Sequence, residues 1–116
     1  MAEAQTGSAI LVRSGADRFG EQRNVGPNVV QYKVAAQDSA DQLFIFELTS
    51  TRKGGPPRHL HPAQEEWFYV LEGEYLVEVG TDRIRLMPGD SLLAPRRVPH
   101  VWAYIGNTQG RMLVGF

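Results

Sequence analysis

The sequence predicts an all-β protein, and three observations lead to that fold class. Short runs of β-branched and aromatic residues recur at close spacing along the 116-residue chain. Turn-forming residues separate these runs, with 12 glycines and 7 prolines in the chain. No stretch keeps the hydrophobic period of a helix over the length that a helix needs. Many short strands of this kind form a β-sandwich or a β-barrel.

The first half of the chain predicts three strands. Residues 1–7 are small and polar and are expected to be disordered, whereas the apolar run at 9–13 predicts a first short strand. Residues 14–28 contain many turn formers and predict a loop. Residues 29–35 and 43–51 are rich in β-branched and aromatic residues, which predicts two further strands.

The second half predicts a series of strands joined by tight turns. The runs at 66–72 and 74–79 surround a single glycine, Gly73, which predicts a β-hairpin. Residues 83–87 alternate strictly between polar and apolar, and the Pro88-Gly89 pair that follows predicts a type II turn. The last strands are predicted at 91–94, 98–104 and 111–116.

Composition and charge exclude several classes of function. The formal net charge is −1, so the chain lacks the basic surface that a nucleic-acid binder needs. The chain has no cysteines, which excludes disulfides, thiolate metal sites and cysteine nucleophiles. The N-terminus has neither the basic start nor the long apolar core of a signal peptide or a membrane span. We therefore expect one domain in a cytoplasmic protein without a membrane partner.

All three histidines of the chain fall into one metal-ligand pattern. His59 and His61 are spaced i, i+2, so both imidazoles lie on the same face if they are in a strand. Glu66 begins the next predicted strand and can return beside this pair, and His100 follows a second turn-rich segment. A single histidine in a strand is usually a surface residue or a hydrogen-bonded core residue. The joint pattern, rather than any one histidine, predicts a metal site.

Two motifs around these residues resemble those of the cupin family. The first, GGPPRHLHPAQEEWFYVLEG, contains the HxH pair, then Glu66 after four residues and Gly73 after six more. The neighbouring Glu65 would leave seven residues before the glycine, so the spacing favours Glu66. The second motif, GDSLLAPRRVPHVWAYIGN, supplies Gly89, Pro95 and His100. It departs from the family pattern at Arg97, where the family has glycine, and at Tyr104, where asparagine is common.

The resemblance implies a double-stranded β-helix, the jelly-roll barrel of cupins, as a single domain over 1–116 with its core at about 29–116. It also implies one divalent transition metal ion inside the barrel and a homodimer, since small cupins are often dimeric. Imidazole and carboxylate ligands suit iron, manganese, nickel, cobalt, copper or zinc. The ligands that the motifs predict are His59, His61, Glu66 and His100.

Strand parity adds a candidate substrate pocket beside the metal. Phe68 shares a strand face with Glu66, and Trp102 and Tyr104 share one with His100. Aromatic residues commonly line small-molecule sites, but these three side chains equally suit a plain barrel core. Both interpretations stay open from the sequence alone.

The cupin barrel supports many reactions, so the fold does not identify a substrate. The leading hypothesis is a metal-dependent dioxygenase that resembles the small quercetinases, acts on a small enol or phenol, and uses Glu66 as the proton acceptor. One alternative is a non-oxidative metalloenzyme such as a sugar isomerase, an epimerase or a lyase. The others are a non-catalytic module that binds a small ligand and a barrel with a purely structural metal ion.

Overall fold

The computed structural model describes residues 7–57 and 64–116. In these two ranges the chain forms nine strands, and its regular helical structure is limited to one 3-10 turn at Ala36–Ser39. None of the described helical structure is long and apolar enough to cross a membrane. The strands are β1 (Arg23–Val25), β2 (Asn28–Val34), β3 (Ile45–Ser50), β4 (Glu66–Glu72), β5 (Tyr75–Val79), β6 (Asp82–Leu86), β7 (Ser91–Ala94), β8 (His100–Tyr104) and β9 (Gly110–Gly115).

The described strands pair antiparallel in two sheets. The larger sheet has the order β1-β2-β3-β9-β4-β7, and the smaller sheet has the order β6-β5-β8. Several pairs of neighbouring strands are far apart in the sequence, for example β3 with β9 and β5 with β8. Such long-range pairing between two antiparallel sheets is the architecture of a jelly roll, so the predicted all-β fold class is confirmed.

Alternate residues of the strands fill the space between the two sheets. β4 buries Glu66, Phe68 and Val70, whereas Trp67 between them points outward and is exposed. β8 follows the same alternation from His100 onward. Side chains from both sheets therefore form one apolar cluster. Its buried members are Val30, Leu48, Phe68, Val70, Tyr75, Val77, Leu86, Ala94, Trp102, Tyr104, Met112 and Val114.

The chain crosses from one sheet to the other at Gly73, so the β-hairpin predicted for this region is wrong. β4 pairs with β7 and β9, whereas β5 pairs with β6 and β8. Gly73 has a φ of 79°, and a Cβ there would lie 2.8 Å from the carbonyl oxygen of Gln109. A tight crossing between sheets and a hairpin turn both need a residue without a side chain that can adopt a positive φ. A single glycine between two strands therefore marks either feature in a sequence.

The N-terminal region also differs from the prediction. Residues 9–13 form no strand within the described chain, so the predicted first strand is wrong. The first strand is β1, which lies inside the predicted loop at 14–28 and pairs with β2. Pairing with a neighbour, rather than the propensity of its own three residues, makes β1 a strand. Residues 1–6, predicted to be disordered, lie outside the described residues.

Asp17 fixes the N-terminal loop against β2. Its carboxylate accepts hydrogen bonds from the backbone amides of Phe19, Glu21 and Tyr32, and it forms an ion pair with Arg23 at 3.2 Å. Burial alone would raise the pKa of Asp17, but the bonds from Arg23 and the three amides outweigh burial and lower that pKa well below its usual range. The loop is therefore held most firmly when Asp17 is ionised.

Asp17→Asn should lower the free energy of unfolding by about 1–3 kcal/mol at neutral pH, because hydrogen bonds to a charged group are lost. The stability from Asp17 is present above the pKa of an unfolded aspartate, about 3.9, and is lost as the pH falls through the lower folded pKa. In denaturant titrations, the difference in the free energy of unfolding between wild type and Asp17→Asn should therefore shrink as the pH is lowered from about 7 to about 2. Equal stability at neutral pH would contradict this role.

Two buried tyrosines at one end of the core differ in hydrogen bonding. The hydroxyl of Tyr75 donates to Ser50 Oγ at 3.0 Å, and burial raises the pKa of Tyr75 to about 12, so it stays a donor at neutral pH. The hydroxyl of Tyr104 is buried and has no hydrogen-bond partner among the described residues. A buried polar group without a partner costs free energy that a paired group does not.

Tyr75→Phe should therefore destabilise the protein by about 1 kcal/mol, while Tyr104→Phe should leave its stability unchanged or raise it by about 1 kcal/mol. The two substitutions remove the same atom, so each is the control for the other. Urea unfolding of both variants measures the difference. A loss in Tyr104→Phe equal to that in Tyr75→Phe would mean that the Tyr104 hydroxyl has a partner after all.

Candidate metal centre

Glu66 and His100 meet inside the barrel. Glu66 is the first residue of β4 in the larger sheet, and His100 is the first residue of β8 in the smaller sheet. Glu66 Oε1 lies 2.7 Å from His100 Nε2, and the two residues are only 4% and 1% exposed. A carboxylate and an imidazole thus join the two sheets in an environment from which water is largely excluded. Burial of such polar groups costs free energy unless they are well paired or bind an ion.

The backbone fixes which nitrogen of His100 faces Glu66. His100 Nδ1 lies 3.2 Å from the carbonyl oxygen of Val98. A carbonyl oxygen can only accept, so Nδ1 carries the proton that is donated to Val98. If the imidazole is neutral, Nε2 presents a lone pair to a carboxylate oxygen, which is also an acceptor, and if it is protonated, Nε2 donates to that oxygen. Two acceptors at this distance need a proton or a cation between or beside them, and histidine ligands of metals are commonly oriented by such a backbone bond.

Of the two neighbouring glutamates, Glu66 points into the barrel and Glu65 points away from it. Glu65 forms an ion pair with Arg96, with 2.6 Å between Oε2 and Nε. The hydrogen bond from Arg96 lowers the pKa of Glu65. Alternation along the start of β4 therefore gives the two carboxylates different surroundings.

The other two predicted ligands, His59 and His61, lie outside the described residues. Within residues 7–57 and 64–116, no three side chains of the types that bind metals come together. The described segment before His59 does lie beside β8, because Gly54 pairs with Tyr104. A Cβ on Gly55 would lie 1.9 Å from the carbonyl oxygen of Trp102, so this approach requires glycine.

The three predicted pocket residues occupy different positions. The ring of Phe68 lies beside His100, with 6.1 Å between ring centroids in an edge-to-face arrangement. Trp102 is buried further along β8 and contacts Tyr75. Tyr104 lies four residues from His100, about 13 Å along a strand, and packs against Tyr75 at the far end of the core. The structure thus brings Phe68 close to the Glu66–His100 pair and leaves Tyr104 away from it.

Arg97 keeps the backbone conformation that glycine favours. The turn before β8 is closed by a hydrogen bond from Val98 N to Pro95 O at 3.4 Å, and Arg97 has a φ of 68°. Positive φ at the third position of a turn is the signature of type II, which favours glycine there. The predicted type II turn at Pro88-Gly89 is confirmed in the same way, with a φ of 92° at Gly89 and a hydrogen bond from Asp90 N to Met87 O. The departure from the family motif at Arg97 therefore alters the side chain but not the turn.

Arg97→Gly should be more stable than Arg97→Ala by about 1 kcal/mol, since only glycine adopts a left-handed conformation without steric cost. Both variants remove the same side chain, so the comparison isolates the backbone. Thermal and urea unfolding measure it directly. A more stable alanine variant would show that this turn does not hold a positive φ in solution.

Two residues that support the site escaped the sequence analysis. Val98 acts through its carbonyl oxygen, which every residue has, so no side-chain pattern marks it. Gly55 acts through the absence of a side chain. Gly55 lies within the first motif, but the motif alone does not show that β8 packs against this glycine.

Comparisons with known proteins agree with this architecture. The model of the cupin domain family matches residues 47–116, which include Glu66 and His100. An uncharacterized protein of Methanocaldococcus jannaschii is 33% identical over 55 residues. That match covers 47% of this chain and 44% of the other protein, so it spans less than half of that relative's length.

Solved structures of low sequence identity share the fold. The polyketide cyclase RemF from Streptomyces resistomycificus superposes with a TM-score of 0.74 at 22% identity, over 93% of this chain and 78% of that one. KdgF from Halomonas sp. superposes with a TM-score of 0.69 at 19% identity, over 88% of this chain and 93% of that one. Because the family model matches residues 47–116, more than half of this chain, the chain belongs to the cupin family.

Proposed function

We propose that this cupin is a metal-dependent enzyme that acts on a small molecule of the enol or phenol type, with a dioxygenase reaction as the leading hypothesis for its chemistry. Its metal ligands are His59, His61, Glu66 and His100. The observation that carries the proposal is the buried contact of 2.7 Å between Glu66 and His100. Replacement of such a buried pair by well-packed apolar side chains is often neutral or stabilising, so stability alone does not explain the presence of the pair.

The donor atoms of the described pair fit a transition metal ion. Neutral imidazole nitrogen and carboxylate oxygen are the ligands that borderline divalent ions prefer. The bond from Nδ1 to Val98 leaves Nε2 as the coordinating atom, on the same side as Glu66 Oε1. The segment that leads to His59 and His61 lies beside the strand of His100, which supports their membership of the same site.

The residues around the pair define the roles in the proposed reaction. A bound divalent ion supplies Lewis-acid polarisation of a substrate oxygen and, if redox-active, electron transfer with dioxygen. Glu66 accepts the hydroxyl proton of the enol or phenol at its carboxylate, within reach of a group that binds beside His100. The buried ring of Phe68 lies next to His100 and makes this side of the site apolar, which favours an apolar substrate and excludes water.

Oxygen uptake tests this function. Wild-type protein is loaded separately with iron, manganese, nickel, cobalt and copper and assayed with a panel of enols, diketones and flavonols. We expect uptake with at least one combination, and a loss of about 100-fold or more in Glu66→Gln if Glu66 moves the proton. Glu65→Gln is the matched control, because that neighbouring glutamate lies outside the barrel in an ion pair, and it should retain activity.

No oxygen uptake with any metal form would contradict the dioxygenase. Turnover of a substrate without oxygen would instead support the non-oxidative metalloenzyme. Ligand binding without any product after long incubation would support the non-catalytic binding module.

A further inference from the structure

Four aromatic side chains form a continuous group on the inner face of the larger sheet. The ring centroid of Phe44 lies 5.0 Å from that of Tyr32 and 5.8 Å from that of Phe116. The ring of Phe46 lies 5.6 Å from Phe44 and 6.3 Å from Phe116. Three of the four pack against the apolar cluster between the sheets, which identifies the face that they occupy. We call Tyr32, Phe44, Phe46 and Phe116 the aromatic wall.

Strand register places one end of the aromatic wall beside Glu66. β4 and β9 pair Trp67 with Gly115. The residues next to these two, Glu66 and Phe116, therefore lie opposite each other on the inner face, with their Cβ atoms about 5 Å apart. Phe116 in turn exchanges two backbone hydrogen bonds with Phe44, at 2.9 and 3.4 Å. The row from Glu66 through Phe116 to Phe44 thus spans about 10 Å at the usual strand spacing, enough for a small molecule that joins an enol group to a phenyl ring.

The aromatic wall keeps part of its surface accessible, whereas the neighbouring core does not. All four of its residues are only partly buried. In contrast, Phe68 and Tyr75 are 0% exposed and Val114 is 1% exposed. Tyr32 ends the wall at β2, where the guanidinium carbon of Arg23 lies 3.8 Å from its ring centroid. Accessible aromatic surface next to a buried polar pair is typical of a small-molecule site, because an apolar ligand gains free energy by covering it.

We propose that the aromatic wall binds an aromatic ring of the substrate, so that the substrate is a phenol or an enol that carries an aryl group, and not an aliphatic enol. This inference rests on the proposed function, since it assumes that the reacting oxygen binds beside Glu66 and His100. Phe44 and Phe46 contact the ring in this arrangement. Edge-to-face and offset-stacked contacts between aromatic rings add to the free energy gained by burial alone. Substrate specificity therefore comes from the larger sheet, opposite the strand that carries His100.

Calorimetric titration with two related diketones tests the proposal. Benzoylacetone and acetylacetone form the same enol group, but one carries a phenyl ring where the other carries a methyl group. Metal-loaded wild type should bind benzoylacetone more tightly by about 10-fold or more, because the ring buries more apolar surface. Phe44→Leu and Phe46→Leu should each weaken benzoylacetone binding by about 3- to 10-fold and change acetylacetone binding by less than about 2-fold.

Trp67→Leu is the matched control variant. Trp67 is an aromatic residue next to Glu66 in β4, but it lies on the outer face of the same sheet and is 37% exposed. Its replacement should leave the affinities for both diketones unchanged. Leucine keeps the replaced positions apolar, and thermal unfolding of each variant shows whether it is folded. Metal content measured in the same samples should be equal in all of these proteins.

The ratio of the two dissociation constants separates contact with the substrate from packing of the core. The proposal would be overturned by a wild type that binds both diketones equally or binds neither, or by phenylalanine variants that keep the wild-type ratio. Oxygen uptake in the same samples tests the proposed function separately. Selective binding of benzoylacetone without oxygen uptake would support the aromatic wall and contradict the dioxygenase. Oxygen uptake that is equally efficient with both diketones would support the dioxygenase and contradict the aromatic wall.

Discussion

A transition metal ion should raise the melting temperature of the wild-type protein by roughly 10 °C when present at about 100 times its dissociation constant, and should have no such effect on His100→Ala. An ion that binds the folded site and not the unfolded chain adds its binding free energy to stability. In the variant, the buried carboxylate of Glu66 loses the imidazole that lies 2.7 Å away. Loss of one partner of a buried pair costs about 3–5 kcal/mol on its own.

Phe68→Leu serves as the control for this prediction. It reduces packing next to His100 but keeps every proposed ligand, so it should lower the melting temperature without metal and still respond to metal. Differential scanning calorimetry of the three proteins, with each ion and with chelator, gives the comparison. An equal metal response in wild type and His100→Ala would place the bound metal somewhere other than beside Glu66.

Gly55→Ala should lower the free energy of unfolding by about 3 kcal/mol and weaken metal binding as well. The new Cβ would lie 1.9 Å from the backbone oxygen of Trp102, and neither backbone can yield without separating the segment from β8. That segment leads directly to His59, so its displacement should loosen two proposed ligands.

Gly115→Ala is the matched glycine substitution. Its Cβ would meet its nearest neighbour, Trp67, at 3.6 Å, an ordinary contact, so its stability and metal affinity should stay near those of wild type. Urea unfolding and metal titration of both variants test the pair. A Gly55→Ala protein as stable as Gly115→Ala would mean that the approach to β8 is not tight.

Alternation explains why the interior of the barrel was predictable. The pattern of EWFYVLE places Glu66 and Phe68 on one face and Trp67 on the other, and the structure confirms that division. The same parity along β8 buries His100 with Trp102 and Tyr104. These faces follow from the two-residue period of a strand, which is independent of the strand's partners.

Pairing between distant strands was much less predictable. The glycine at position 73 indicated a hairpin, yet β4 pairs with β7 and β9, and only the complete sheet shows this. Parity likewise placed Tyr104 with His100 but gave no distance along the strand, so the pocket prediction included a residue at the far end of the core. The carbonyl that orients His100 has no sequence signal at all.

The most direct test of the metal centre is elemental analysis of tag-free protein purified without chelator, beside His100→Ala. We predict nearly one equivalent of iron, copper, nickel, cobalt or manganese per chain in the wild type, and its loss in the variant. Zinc alone would favour the non-oxidative enzyme or a structural ion over the dioxygenase. Wild-type protein that contains no metal, even after reconstitution with each ion, would contradict the proposal that Glu66 and His100 are ligands of a metal ion in this barrel.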